Sequence, residues 1–326
     1  MKTTKHRKVL TYLAKELNNC NINWALGASF MLYFEGIKTT VDDIDLLVDE
    51  NDYEKLLELL KPYPYTYIES NPKYQTDHFF SLELDGVAID IMLGFKVKTK
   101  NGLYSFPFHI SKSFELDNET IYLSSLEEWL NAYKAMGRDK KVKIVEDHLS
   151  FRIETDRTYI SLLNFDDTKA MFEYMSEESV HTFEDSEPYD VKQMNRVMTY
   201  IVPLGSYYSV KLKESNKHIG HIYFGLSNPE RFKEYAVGYI FNNKYQNKGY
   251  CTESTKALID YGFNHLDINR VKAMCNPDNI PSWRVMEKVG LKKEGHLKKR
   301  VHFKDDNDGN PIWWDEYIYG ITKEDW

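Results

Sequence analysis

One carboxylate stands in the middle of an otherwise apolar run. Residues 87–93 read VAIDIML, and their length and β-branched content predict a strand buried in a core. An ionised Asp90 in such a place costs several kcal/mol or more unless something neutralises it. Upstream, VDDIDLLV predicts a second strand, on which Asp43 and Asp45 project from one face while Ile44, Leu46 and Val48 bury the other. A divalent cation shared by Asp43, Asp45 and Asp90 would offset the charge. All-oxygen ligation of this kind suits Mg²⁺, which keeps its waters and bridges to phosphates. Two such ions could orient an attacking hydroxyl and a leaving pyrophosphate.

The surrounding sequence predicts alternating helices and strands. Val9, Leu10, Leu13 and Leu17 share one helical face, and INWAL reads as a strand that ends at Gly27-Ala28-Ser29 before a short helix. This turn is a candidate phosphate cradle through backbone N–H groups and the Ser29 hydroxyl. After the Asp-x-Asp strand a helix, YEKLLELL, is expected with Asn51 or Asp52 as its cap. FFSLELDGVAIDIML reads as a hairpin around Asp85-Gly86, and SSLEEWLNAYKAMG and KVKIVEDHL as closing helices. The polar stretch SFRIETDRT marks the joint, so residues 1–150 and 151–326 are expected as two domains.

The second stretch is expected to be α+β, a mixed, mostly antiparallel sheet flanked by helices. Strands are predicted at YISLLNF, YYSVKLK, HIGHIYFGL and YAVGYIF, then a loop, a helix (TESTKALIDYGFNHL), a strand (VKAMC), a helix (SWRVMEKV) and a long hairpin around DDNDGNP. The loop Gln246-Asn247-Lys248-Gly249-Tyr250-Cys251 joins strand to helix. Its backbone N–H groups can form an anion nest that Gly249 lets a pyrophosphate approach, with Glu253 complementing the helix start. One strand later Asn279 and Ser282 open the next helix. DDNDGN is not a calcium loop, because aligning Gly309 with the loop glycine puts Lys304 at the first ligand position. The ten histidines show no zinc spacing, and His218 and His221 are expected on strand faces.

Charge and cysteines narrow the classes. The 42 Lys+Arg stand against 50 Asp+Glu, a net −8 spread over both halves, so the basic excess of a nucleic-acid binder is missing. No apolar stretch is long enough to span a membrane. Three cysteines with no CxxC pair suit a reducing compartment, and a cytoplasmic protein is the expectation. Neither nucleic acid nor membrane is expected as a partner.

Residues 20–150, with their Gly-Ala-Ser turn, Asp-x-Asp pair and later Asp90, resemble the DNA-polymerase-β-like nucleotidyltransferases, especially small bacterial members that include antibiotic nucleotidyltransferases. The resemblance implies Asp43 and Asp45 as metal ligands, Asp90 as ligand or base, Gly27 and Ser29 on the nucleotide phosphates, and Lys134, Arg138 and Lys140 facing phosphates. Mg²⁺ and a nucleoside triphosphate are the implied cofactor and substrate. Ala28 stands where that family has Gly or Ser. Residues 153–326 resemble GNAT-superfamily N-acetyltransferases of the RimJ/RimL type, through EYAVGYIFNNKYQNKGYCTESTKALIDYGF, NRVKAMCNPDNIPSWRVMEKVGLKKEGHL and WDEYIYG. That resemblance implies acetyl-CoA as cofactor, its pyrophosphate on residues 246–251 and its pantetheine arm on backbone groups of Ile240 and Phe241 and on Asn279. Ser282 is implied as the group that protonates the departing thiolate. Ala236 occupies the position where many relatives carry a Glu base, which leaves water or a residue such as Tyr239. Two readings stay open: a two-domain enzyme acting on an aminoglycoside-like amine-and-hydroxyl substrate, or an acetyltransferase of protein N-termini whose first domain is a non-catalytic binding or regulatory module.

Overall fold

Val9, Leu10, Leu13 and Leu17 are all buried under helix α1 (Lys2–Asn19), which docks on a seven-stranded mixed sheet. The computed structural model describes residues 2–70, 74–100 and 102–326. They divide into one unit that ends at Ser150 and also takes in Asn195–Gly205, and a second formed by Phe151–Met194 and Ser206–Trp326.

The first unit runs β1 (Trp24–Leu26), α2 (Ala28–Phe34), β2 (Asp43–Val48), α3 (Tyr53–Leu60), β3 (Tyr65–Tyr67), β4 (His78–Leu84), β5 (Val87–Leu93), β6 (Lys96–Thr99), β7 (Gly102–Ser105), β8 (Ile110–Leu116), β9 (Glu119–Ser124), α4 (Leu126–Ala135) and α5 (Asp139–Ser150). Its main sheet has the order β3-β4-β5-β2-β1-β9-β8, with β6-β7 as a separate hairpin. The β4–β5 turn places Asp85 (φ 51°) and Gly86 (φ 67°) in the left-handed region, as a two-residue Asp-Gly hairpin requires. The α3 cap departs from expectation. Asp52 occupies the cap position, but its carboxylate accepts instead from Asn23 N (2.7 Å) and Nδ2 (3.0 Å), while Asp49 caps the preceding turn through Asn51 N. In Asn195–Gly205 the Thr199 carbonyl and hydroxyl accept from Arg7, both at 2.8 Å.

The second unit contains β10 (Ile153–Glu154), β11 (Thr158–Leu162), α6 (Thr168–Met175), the start of α7 (Val191–Ile201), β12 (Tyr207–Leu212), β13 (His218–Leu226), β14 (Glu234–Phe241), α8 (Tyr250–His265), β15 (Arg270–Cys275), α9 (Ile280–Val289), β16 (Lys292–Asp305) and β17 (Pro311–Thr322). Its eight-stranded sheet, β10-β11-β12-β13-β14-β15-β17-β16, is antiparallel except where β14 meets β15. This is the mixed, mostly antiparallel sheet that the sequence led us to expect. Ile222, Phe224, Leu258, Ile259, Phe263 and Val271 form the centre of its core. His218 and His221 lie on β13 and are buried, tied together by the Tyr174 hydroxyl at 3.2 Å and 2.7 Å. No helix among the described residues is long and apolar enough to cross a membrane.

Candidate functional site

Strands β2 and β5 are parallel neighbours, and their register sets Asp45 opposite Asp90 with Asp43 one pair along. A carboxylate oxygen from each of Asp43, Asp45 and Asp90 can be chosen so that all lie within 4.8 Å of one another. Burial, then Asp43 and then Asp90 push Asp45 up to about 8. Burial also raises Asp90, which is opposed by a hydrogen bond from Ser81 on β4. Arg138 and Lys141 offset the three acids only in part, since Asp45 still stands well above the usual carboxylate range, and a divalent cation is the simplest group that completes the balance. The hard all-oxygen donor set fits Mg²⁺.

The basic side of this site differs from the sequence expectation. Lys134 is engaged with Glu146 at 2.7 Å, and Lys140 is exposed. Lys141 is the lysine at the site: its ammonium donates to Ser29 Oγ (3.2 Å) and Thr39 Oγ1 (2.6 Å). Burial and then Arg138 lower its pKa, against the pull of Asp45, Asp43 and Asp42. Arg138, like Lys141, lowers Asp45. Lys140 and Lys141 are consecutive, one helical step or about 100° of rotation apart, and that was below the resolution of reading a charged run.

The turn at Gly27 is built for packing. A β-carbon on Gly27 would lie 2.6 Å from Trp129 Cζ2, and the Gly27 N–H donates to the Asp45 carbonyl at 2.8 Å. The expected role of Gly27 as a phosphate donor is therefore corrected: its amide is committed to the sheet, and Ser29 alone of the pair presents a side chain to the site. Trp129 Nε1 in turn donates to Ser124 Oγ, which donates to the Leu26 carbonyl, so the indole is fixed. Ala28 holds φ 44°, a left-handed position where a glycine would be unstrained. Sequence reasoning missed Tyr133: it is buried, its hydroxyl has no hydrogen-bond partner among the described residues, and Asp45 and Asp43 both act on it. An orphaned hydroxyl beside the carboxylates is a second mark of a site that expects a ligand.

In the second unit the decisive feature is where β14 leaves β15. They pair only at Glu234–Ala236 with Arg270–Lys272, and beyond that the two strands separate, each held on its other side by β13 or β17. The hydrogen bonds at both ends of the β13–β14 ladder, Ser227 N to Glu234 O and Asn242 N to Ile219 O, fix its phase. Even-numbered residues of β14 bond to β13, so odd-numbered ones present N–H and C=O to the opening. This corrects the expectation for Ile240, whose backbone is committed to His221. Val237, Tyr239 and Phe241 are the residues that face the gap. The Phe241 carbonyl already accepts from Gln246 Nε2 at 2.9 Å, which leaves its N–H.

The Gln246–Cys251 loop is exposed up to Gly249 and turns twice through left-handed positions, Asn247 (φ 57°) and Gly249 (φ 83°), before α8 begins at Tyr250. The unbonded N–H groups of the first helical turn point out at that end. Lys248 folds back, its ammonium donating to the Lys244 carbonyl. Glu253 is not free to act on the dipole alone: it accepts from Thr155 Oγ1 (2.6 Å), Arg157 N (2.9 Å) and Arg157 Nε (2.7 Å). Arg157 also donates to the Lys248 carbonyl at 2.9 Å and stacks over Tyr250, so it clamps the loop; a single arginine in a β-turn carried no such signal in sequence. Burial pushes the Cys251 thiol up to about 12, leaving it neutral. Asn279 caps α9 by accepting from Ser282 N at 3.3 Å. The Ser282 hydroxyl meets the Cys275 thiol, and its carbonyl accepts from Tyr239 Oη at 2.7 Å. Burial holds Tyr239 well above the usual phenol range and so protonated, which removes it as a base. Glu234, the one acid on β14, is paired with Arg270 and Lys272.

These geometries agree with what the chain is similar to. Residues 157–292 match the acetyltransferase (GNAT) domain family, and residues 9–149 match the aminoglycoside-2''-adenylyltransferase family. The uncharacterized N-acetyltransferase YnaD of Bacillus subtilis is 37% identical over 53% of this chain and 98% of its own length. The [Ribosomal protein uS5]-alanine N-acetyltransferase of Escherichia coli is 26% identical over 54% of this chain and 92% of its own. Among solved structures, a GNAT-family acetyltransferase from Bacillus anthracis is 34% identical, covering 53% of this chain and 99% of that one at a TM-score of 0.49. Its first half carries an aminoglycoside-2''-adenylyltransferase-like domain, by the match over residues 9–149, and through its second half the chain belongs to the GNAT N-acetyltransferases.

Proposed function

We propose that the chain transfers two groups to one class of small molecule: an acetyl group from acetyl-CoA to an amine, and a nucleotidyl group from a nucleoside triphosphate to a hydroxyl, with an aminoglycoside-like antibiotic as acceptor. The convergence of Asp43, Asp45 and Asp90 beside Lys141 carries the reading, because it equips the first unit for chemistry rather than for binding alone. In this reading residues 1–150 form the nucleotidyltransferase domain and 151–326 the acetyltransferase domain.

Asp43 and Asp45, with Asp90, would hold Mg²⁺, which supplies charge neutralisation for the phosphates and the leaving pyrophosphate. Lys141 and Ser29 bind phosphate oxygens. Asp90, raised by its surroundings, takes the proton from the acceptor hydroxyl as its oxygen bonds to phosphorus and pyrophosphate departs. In the second unit residues 246–251 cradle the pyrophosphate of acetyl-CoA, and backbone groups of Val237, Tyr239 and Phe241, with Asn279, hold the arm. The neutral amine nitrogen bonds to the acetyl carbon, the C–S bond breaks, and Ser282 gives a proton to the sulfur while it recovers one from the acylated nitrogen. Strand N–H groups in the opening stabilise the intermediate's oxyanion.

The test is a product-mass screen. Purified protein is incubated with aminoglycosides, acetyl-CoA, ATP and Mg²⁺, and addition of acetyl or nucleotidyl mass is expected; absence of both on every amine-rich acceptor refutes the proposal. Likeness to the uS5-alanine N-acetyltransferase favours a second reading, in which protein N-termini are acetylated and the first unit only recognises the target. Alanine-initiated peptides in the same screen, acetylated while aminoglycosides are not, would establish it.

A further inference from the structure

The opening between β14 and β15 has two faces, and cross-strand register sorts the side chains between them. Tyr207, Tyr223 and Gly238 are successive partners, as are Gly225, Ala236 and Lys272, and Met274 pairs with Ile318; these share one face. Tyr239 and Tyr319 lie on the other, where their hydroxyls reach Ser282 and Glu287 of α9. The first face is crossed by the loop ahead of α7. Phe183 meets Trp314 of β17 at 6.5 Å between ring centroids, beyond one rim of the opening. Beyond the other rim, Glu184, Asp185, Tyr189 and Tyr223 all act on the Tyr207 phenol. The loop therefore roofs the gap. It is pinned there: the buried His181 bonds to the Met175 carbonyl (2.8 Å) and Ser186 Oγ (2.9 Å), Tyr189 N donates to Met175 O, and Lys304 pairs with Glu187 at 3.2 Å.

Beneath the roof Gly238 leaves open space, since a β-carbon there would meet nothing within 4 Å, and Ala236 adds no polar group. Glu184 is half-buried, and among the described residues its carboxylate has no hydrogen-bond or ion-pair partner; its charged neighbour is Asp185, of like sign. Burial and Asp185 push it up to about 7. A half-buried carboxylate flanked by another acid and by aromatic rings is a place that a cation completes.

We propose that Glu184, on the loop that sets Phe183 against Trp314 at one rim and Tyr189 by Tyr207 and Tyr223 at the other, receives the cationic amine of the acetyl acceptor and removes its proton. The N–H bond of the ammonium breaks and the proton passes to the carboxylate. The freed lone pair bonds to the acetyl carbon, and the C–S electron pair leaves with the sulfur, which takes the Ser282 proton while the acylated nitrogen gives up its second proton to Ser282, leaving a neutral amide. This assigns the base that Ala236 does not supply, and it rests on the acetyltransferase reading above.

Calorimetry on the full chain separates the two. Coenzyme A is titrated into wild type and Glu184→Gln, then spermidine as the cationic probe with coenzyme A present, and thiol release from acetyl-CoA is followed with spermidine or O-methylhydroxylamine as acceptor. Coenzyme A affinity should match in both proteins. Spermidine binding should weaken at least ~10-fold in the variant, the loss of a charge-assisted pairing. Thiol release with spermidine should fall about 100-fold, and with O-methylhydroxylamine, already neutral, by less than ~3-fold. Equal spermidine binding in both proteins, no spermidine binding by wild type, or an equal loss with both acceptors overturns the assignment. Failure of wild type to bind coenzyme A overturns the acetyltransferase reading and this one with it.

Discussion

Replacing Lys141 by methionine tests the site at the point where structure and sequence disagree. The ammonium sits 3.2 Å from Ser29 Oγ and 2.6 Å from Thr39 Oγ1, on the side of the cluster where it moderates Asp45. If it also receives a phosphate oxygen, its loss removes one charge-assisted hydrogen bond, worth about 1.5–3 kcal/mol. Lys141 is only partly buried, so solvent screening places the effect at the lower end, near ~1.5 kcal/mol, or roughly a 10-fold weaker Kd for ATP with Mg²⁺. Methionine keeps the apolar stem, which limits the effect on folding. The assay is calorimetric titration of ATP with Mg²⁺ into the full chain, with Lys134→Met and Lys140→Met as comparisons, since Lys134 is engaged with Glu146 and Lys140 is exposed. Both should bind within ~2-fold of wild type. Unchanged affinity in the Lys141 variant, or an equal loss in all three, would refute the reasoning.

Other outcomes follow from the same contacts. Gly27→Ala drives a methyl into Trp129 and should cost about 1–3 kcal/mol, read as a lower melting temperature together with weaker ATP binding; an unchanged Tm would show that the indole moves freely. Arg157→Ala removes the clamp between Glu253 and the Lys248 carbonyl and should weaken coenzyme A several-fold while leaving ATP binding alone, by titration of each. Acidification should destabilise the second unit through His221, which burial lowers to about 3. The unfolded chain takes up that proton at about pH 6.5 and the folded one does not, so stability is full above that value and falls as pH drops toward 3. The loss is about 2 kcal/mol by pH ~5. His221→Gln should flatten the slope of denaturation midpoint against pH over that range, and an unaltered slope would contradict the buried neutral ring.

The parts of the fold that were legible are those where local and tertiary signals agree. Asp85-Gly86 between apolar strands allowed one hairpin, and the amphipathic face of α1 one docking surface. The β8–β9 hairpin was missed because its turn, Asp117-Asn118, lacks glycine although both residues take positive φ. Helix α7 was missed although Asp190 and Gln193 form a reciprocal capping box that was there to be found. At the sites, the three aspartates could be read because each broke a pattern of burial. Lys141, Tyr133, Arg157 and Glu184 could not, since their roles depend on which way a helix turns or where a loop lies. Ile240 shows the same limit in a strand: the segment was identifiable, but the hydrogen-bond phase that commits its backbone to His221 is set by pairing with β13.

The claim at the centre of this account is that two independent transfer chemistries reside in one chain. The direct measurement is mass analysis of aminoglycoside products made by wild type, by Asp43→Asn/Asp45→Asn, and by Ser282→Ala. Wild type should add both groups. The double aspartate variant should add acetyl only, and the serine variant should keep nucleotidyl transfer while acetylation slows. Nucleotidyl transfer that survives loss of both aspartates, or acetylation that vanishes with them, would contradict it.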